Sequence, residues 1–391
     1  MNNRFCIISL ILLSNITSIS SLISLINAAT CRSRRVLFAS PDSFDTPRSR
    51  RDAMLLPALS SLTLLVPRSS ALAESASKKA AKIPSWSLPR NVFMPQLALN
   101  TVGLTEEDTF NSVGYALLNG ITHIDFHPGR ERDGVARYIR ENTRLRSSLF
   151  LNTKIRKAPP GTSPSLAAAL ASKQIDDDLE VLGVSSVDML MLRDSPDADV
   201  IQAQWRVVEE ALKKGKTRSV GVINFCQSAI DAVMTNASVP PALNYYMLHV
   251  GMGSRAKDLR KYCDDRGIRT FAYGAVGEPG PSSALLSSPA LNSVASSYGK
   301  TPSQVALRWV TQSGAAVSVR PTLNFGLGRS ACSSQTEECL AEVALRAENY
   351  SWKLSKDDMS TLDSISDFDD NPTLFSSKGC PDSFVMPKKK R

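Results

Sequence analysis

Read in chain order, a series of short apolar runs ends on Asp125, Lys154, Arg193, Asn224, Tyr245 or Tyr246, Tyr273 and Arg320. An acid, a lysine, two arginines, an amide and tyrosines gathered at one place would make a pocket for an anionic ligand, with charge-assisted hydrogen bonds as its main attraction. Any one of these residues alone reads as a rim salt bridge or a capping group. Their recurrence at the same point of successive units is what makes a site. The chemistry is not that of a metal centre: the chain has three His, at 123, 127 and 249, and seven Cys with no CxxC spacing. It is not that of a phosphate loop either. The first turn reads Asn100-Thr101-Val102-Gly103-Leu104, with no Gly-rich loop there and no GxxxxGK[ST] elsewhere.

The elements that must position these residues alternate. A first strand over 95–99 precedes Thr105-Glu106-Glu107-Asp108, where Thr105 is a good N-cap and acids fill the first turn of a helix that runs to Asn119-Gly120. Strands follow at 123–126, 149–154, 187–192, 218–224, 242–248, 269–275 and 316–319. Helices are expected at 133–142, 163–182, 198–214, 227–236, 254–266, 289–298, 302–313, 335–348 and 355–366. The strands are short and continuously apolar, as in a sheet covered on both faces, and strict alternation implies parallel strands with right-handed crossovers. Eight such units point to an α/β fold, a closed (β/α)₈ TIM barrel whose chemistry lies at the C-terminal ends of its strands. A doubly wound open sheet is the rival.

The motifs add a resemblance. Gly120-Ile121-Thr122-His123-Ile124-Asp125, Leu149-Phe150-Leu151-Asn152-Thr153-Lys154, Val187-Asp188-Met189-Leu190-Met191-Leu192 and, most specifically, Gly215-Lys216-Thr217-Arg218-Ser219-Val220-Gly221-Val222-Ile223-Asn224-Phe225 resemble successive strand motifs of the aldo-keto reductases. Gly267-Ile268-Arg269-Thr270-Phe271-Ala272-Tyr273 and Thr301-Pro302-Ser303-Gln304-Val305-Ala306-Leu307-Arg308-Trp309 extend the match, which covers residues 92–370 in order. The resemblance implies a barrel that binds NADP(H) across its mouth and reduces aldehydes or ketones. It matches Asp125 and Lys154 to two of the family's four catalytic residues. The other two, a tyrosine and a histidine, fall on Arg130 and Arg193. Arginine does not release a proton near neutral pH, so the family's mechanism cannot run unchanged. For the cofactor, Asn224, Tyr273 and Arg320 match the positions that meet the carboxamide, the nicotinamide ring and the 2′-phosphate. Ile223, Tyr245 and Pro321 depart from the pattern, and Arg329 is a loose match for a further cation.

Three arrangements of the altered site follow. Lys154 donates the proton while Arg193 steadies the oxyanion; or Lys154, Arg130 and Arg193 form an anion pocket; or the arginines turn to solvent or pair with Glu131, Asp133 or Asp194 and leave a plain Lys154–Asp125 pair. The functional expectation is an NADP(H)-dependent oxidoreductase acting on a small carbonyl compound. The alternative is an inactive binding or sensor protein that keeps the fold.

The net charge of +9 is unevenly placed. Residues 1–93 hold 12 Lys and Arg against 4 Asp and Glu, and Lys388-Lys389-Lys390-Arg391 adds four more cations, whereas residues 94–387 hold 30 against 33. A nucleic-acid groove on the body is disfavoured. The basic arm reads as an address. Arg4, the apolar run Ile7-Ile8-Ser9-Leu10-Ile11-Leu12-Leu13 and the small-residue site Asn27-Ala28-Ala29 make residues 1–29 a secretory signal rather than a membrane anchor, since eight Ser, Thr or Asn dilute the run before Ile26. Residues 30–73 combine transit-type Arg and Ser with Arg50-Arg51, a mild apolar run and Ala71-Leu72-Ala73, as in a twin-arginine signal. Residues 74–91 read as a linker and 371–391 as a solvated tail. The order of signals resembles the presequence of a protein sent by the secretory route into a complex plastid of an alga, and on to the thylakoid lumen, with no membrane anchor left after processing. N-terminal sequencing of protein from its native source is expected to return a start near Glu74. A start near Met1, or recovery in a cytosolic fraction, contradicts this.

Overall fold

The computed structural model describes residues 82–277, 282–321 and 346–366. The leader, Arg329, the expected helix at 335–348 except its last residues, and the basic tail lie outside the described residues.

Eight strands close into a parallel barrel: β3 (Leu97–Asn100), β4 (His123–Asp125), β5 (Phe150–Ile155), β6 (Val187–Arg193), β7 (Thr217–Ile223), β8 (Leu243–Met247), β9 (Arg269–Tyr273) and β10 (Ala316–Val319), with β10 pairing back onto β3. The open-sheet rival is thereby excluded. Every residue of β3, β4, β5, β8 and β10 is buried, which is why these strands read as unbroken apolar runs rather than alternating ones. Helices α1 (Glu106–Leu118), α2 (Arg130–Glu141), α3 (Pro164–Leu182), α4 (Ala198–Lys213), α5 (Gln227–Met234) and α6 (Gly253–Asp264) intervene, followed by α7 (Ser282–Leu286), α8 (Pro289–Ser297), α9 (Pro302–Gln312) and α10 (Lys356–Asp363).

Local signals fix where the helices begin. Thr105 Oγ1 accepts the Asp108 N–H at 3.1 Å, the N-cap expected of it. Thr301 and Gln304 bond reciprocally in a capping box ahead of α9. Helix α2 differs from expectation. It begins at Arg130 rather than at 133, because Gly129, at φ 110°, turns the chain directly into the helix. Arg130 is therefore the first residue of a helix and not part of a loop. Gly134 is the point where α2 meets α1. A Cβ there would lie 2.5 Å from the Glu106 carbonyl oxygen, so only glycine allows that approach.

A second difference lies before the barrel. Residues 85–91, expected as linker, belong to an antiparallel hairpin of β1 (Ser85–Leu88) and β2 (Val92–Pro95). Its alternation of exposed Ser85 and Ser87 with buried Trp86 and Leu88 is a strand's period of two, but four residues between prolines are too few to announce it. Trp86, Leu88, Val92 and Met94 bury themselves with Ala98, Phe150, Leu243 and Phe271, so the hairpin closes the N-terminal end of the barrel interior. The larger core lies between the strands and the helical ring. Of the cysteines, Cys263 is a buried free thiol, whereas Cys226 is disulfide-bonded. No helix among the described residues is long and apolar enough to cross a membrane.

If the hairpin is core and not linker, Met94→Ala should cost about 2–5 kcal/mol of stability, the range for emptying a fully buried Met site. Urea unfolding measures it, and a loss under 1 kcal/mol would return residues 85–91 to the status of linker.

Candidate active site

Asp125 ends β4, in register with Asn100 of β3 and Asn152 of β5. A strand period of two puts Asn152 and Lys154 on the same face of β5, and both reach the Asp125 carboxylate. Asn152 Nδ2 donates to Oδ1 at 3.1 Å, and Lys154 Nζ donates to the same oxygen. Tyr245 of β8 donates its hydroxyl to Oδ2 at 2.7 Å, and Ser318 of β10 donates to the same oxygen at 2.5 Å. Four strands thus converge on one fully buried carboxylate. Lys154 Nζ has a second acceptor in the Phe126 carbonyl, at 3.0 Å.

Burial alone would raise the Asp125 carboxyl. The Lys154 ammonium, His127 and the hydrogen bonds from Lys154 and Ser318 outweigh it and hold the group below its ordinary value. Lys154 is pushed below the ordinary amine value by burial, with Asp125 pulling it back and Arg193 adding to the fall. Tyr245 is raised well above an ordinary phenol, first by burial and then by the charge of Asp125, which accepts its hydrogen bond. A tyrosine so placed keeps its proton. Of the two residues left open at the end of this strand, Tyr245 points into the barrel. Tyr246 faces outward and pairs with Thr270 Oγ1 at 2.9 Å.

Above this layer lies a cavity of about 190 Å³. Asn100, Val102, His127, Arg193, Ile223, Asn224, Tyr245, Tyr273, Ser318, Val319 and Arg320 line it, together with the run from Gly274 to Val276. Arg193, Asn224, Tyr273 and Arg320 thus come together as expected. Asn224 sits at φ 59°, a left-handed conformation that Asn tolerates better than most residues. Its N–H is tied to the Tyr245 carbonyl at 2.8 Å, and its Oδ1 accepts the Tyr273 hydroxyl at 2.9 Å. The Tyr273 ring stands edge-on to Tyr245, with centroids 5.1 Å apart. Arg193 Nε is buried with no hydrogen-bond partner among the described residues, and its side chain borders the cavity.

Two sequence expectations change. Arg130 does not join the site: as the first residue of α2 it is exposed and lines no part of the cavity. The expected trio of cations is reduced to Lys154 and Arg193, and Asp194, a partner considered for Arg193, pairs instead with Lys157 at 2.7 Å. Lys154 is not at the mouth either. It has no exposed surface, its ammonium is engaged below the cavity floor, and it is absent from the lining.

The group missed in the sequence is His127, two residues beyond Asp125. Its Nδ1 lies 3.0 Å from Glu131 Oε2. Glu131 also accepts the N–H of His127 at 2.9 Å, the N–H of Gly103 at 2.8 Å and the Thr101 hydroxyl at 3.3 Å. Burial would raise Glu131, but His127 and these backbone donors hold it below its ordinary value. The i,i+4 spacing of His127 and Glu131 was the available signal. Among the described residues there is no cluster of three or more His, Cys, Asp and Glu that could hold a metal ion.

A closed (β/α)₈ barrel with a buried Asp–Lys pair and a polar cavity at its C-terminal mouth defines a class of barrel enzyme site. The chain belongs to the aldo/keto reductase family, whose model matches residues 96–367. An aldo-keto reductase of Mycobacterium sp. (strain MCS) is 31% identical over 290 residues, spanning 73% of this chain and 92% of that protein. A 9,11-endoperoxide prostaglandin H2 reductase of Trypanosoma cruzi is 28% identical over 243 residues, spanning 61% and 82%. Among solved structures, an aldo-keto reductase of the silkworm Bombyx mori, crystallised with NADPH, superposes with a TM-score of 0.62 at 23% identity and covers 75% of this chain and 91% of that one. The family is one of oxidoreductases, and this chain stands among them.

Breaking the Lys154–Asp125 pair by Lys154→Met leaves a buried carboxylate without its cation, at an expected cost of about 3–5 kcal/mol. Because native Asp125 lies below its unfolded value of 3.8, its contribution is fully present above that pH and is lost as pH falls through the native value. In Lys154→Met the acid transition should move to higher pH. Urea unfolding across pH 2–7 checks both, and an unchanged transition contradicts the assignment.

Proposed function

We propose that the protein is an NADP(H)-dependent reductase of aldehydes or ketones with a rearranged proton-handling set. The observation that carries this reading is the meeting of Tyr273, Asn224 and Arg320 on one cavity at the strand ends. By family resemblance these positions take the nicotinamide ring, its carboxamide and the 2′-phosphate. The residues fit such a ligand. Asn224 keeps Nδ2 to donate once its Oδ1 is taken by Tyr273, and Arg320 supplies a cation at the rim. Arg193, on the cavity wall, offers its guanidinium to an oxyanion or carbonyl oxygen. The departures weaken the grip: Ile223 brings no hydroxyl, and Tyr245 spends its own on Asp125. When bound, the reduced cofactor supplies a hydride to a carbonyl carbon.

The second reading, an inactive binding or sensor protein, is favoured by one observation. Lys154 lies below the cavity, and its ammonium bonds to Asp125 and the Phe126 carbonyl rather than to a tyrosine hydroxyl. The leader composition supports delivery by the secretory route to a complex plastid, with the thylakoid lumen as the last address.

Fluorescence titration with NADPH, paired with turnover of simple aldehydes, separates the two readings. Binding with turnover is expected; binding without turnover leaves the sensor reading standing. Arg320→Ala should weaken NADPH by roughly 10–100-fold, the worth of one hydrogen bond to a charged group, and leave NADH nearly unchanged. Equal effects on both nucleotides would remove Arg320 from the 2′-phosphate.

A further inference from the structure

Reducing a carbonyl needs a proton at the oxygen as well as a hydride at the carbon. Around the cavity, Arg193 and Arg320 bring guanidinium groups, which donate hydrogen bonds and do not serve as acids. Tyr245 is locked to Asp125, and Tyr273 is committed to Asn224 and raised by burial. Lys154 does not reach the cavity. Among the described residues that line the cavity, only His127 carries a group whose ordinary value lies near neutrality.

Its geometry fits the task. Glu131 is acceptor-only when ionised, so the proton between it and His127 sits on Nδ1. Nε2 is then the nitrogen left to exchange a proton with a ligand. Glu131 is itself held by three further donors from Thr101, Gly103 and the His127 backbone. It also sits in the first turn of α2, where the helix dipole favours a negative charge.

Resting on the reductase reading above, we propose that His127 protonates the substrate's carbonyl oxygen from Nε2, with Glu131 as the residue that positions it. The carbonyl carbon gains a hydride and is reduced, and the nicotinamide is oxidised. The oxygen forms its O–H bond as Nε2–H breaks. The imidazole is left neutral and is recharged from solvent. In the reverse direction, neutral His127 accepts the alcohol proton. Of the groups facing His127, Lys154 from β5 disfavours its charged form, while Glu131 from α2 and Asp125 from β4 favour it; Arg193 from β6 shares the cavity. Burial, the largest influence, and Lys154 together hold the imidazole below its ordinary value of 6.5. Reduction should therefore speed up as pH falls through that lowered value, and alcohol oxidation should slow.

The test uses the full protein with NADPH and 4-nitrobenzaldehyde from pH 4.5 to 8, with wild type, His127→Gln and Glu131→Gln. Fluorescence titration of NADPH and an NMR titration of the histidine rings accompany it. In His127→Gln, kcat should fall roughly 100-fold or more, the usual worth of a general acid, and the pH dependence should flatten while NADPH affinity stays within a few-fold. In Glu131→Gln the His127 titration and the rate profile should move together to lower pH. Wild-type turnover that survives His127→Gln within a few-fold, or a rate profile that does not follow the His127 titration, overturns the proposal and leaves the reductase reading intact. Absence of turnover in wild type overturns that reading and the proposal with it.

Discussion

The site is organised by a buried negative charge that must be satisfied. Asp125 has no exposed surface, and an ionised carboxylate in such a place persists only when cations and hydrogen-bond donors surround it. Donors from β5, β8 and β10 supply that surrounding: Asn152, Lys154, Tyr245 and Ser318. Because the four donors come from three strands other than the carboxylate's own, the carboxylate also holds the barrel's register at its C-terminal end. The ion pair is thus as much a constraint on the scaffold as a feature of the site.

Satisfying Asp125 from within has a chemical consequence. Lys154 turns toward the carboxylate and out of the cavity lining, and Tyr245, though it borders the cavity, spends its hydroxyl on the carboxylate, so the polar groups left for a ligand are those of the next layer. There the surface is cationic and amide-bearing, with Arg193, Asn224 and Arg320 beside the Tyr273 ring. Charge below the floor and charge at the rim do different work. The lower layer sets the shape and field of the cavity; the upper one touches what enters it.

Much of this could be read in the sequence, for physical reasons. Strands buried on both faces print themselves as short apolar runs, and their ends located Asp125, Lys154, Arg193, Asn224, Tyr273 and Arg320. The orientation of a residue at a strand end was less legible. Lys154 and Arg193 both end strands, yet one is sealed and the other borders the cavity, which depends on the neighbours that fill the barrel. Arg130 was misplaced because Gly129 starts the helix three residues early, and residues at a helix start point to solvent unless something holds them. The hairpin of residues 85–95 escaped notice because two four-residue strands among prolines carry little periodicity. His127 and Glu131 were visible as an i,i+4 pair, but the pair straddles a turn and a helix start, and only the fold shows that it borders the cavity.

The most direct test of the account is the fate of the hydride. NADPH deuterated at C4, on each face in turn, is incubated with the wild-type protein and an aldehyde, and the alcohol is examined by mass spectrometry. The account predicts that one labelled form delivers its deuterium to the former carbonyl carbon. Recovery of unlabelled alcohol with both forms, or of unreacted aldehyde while NADPH is bound, would contradict the claim that this cavity performs reduction.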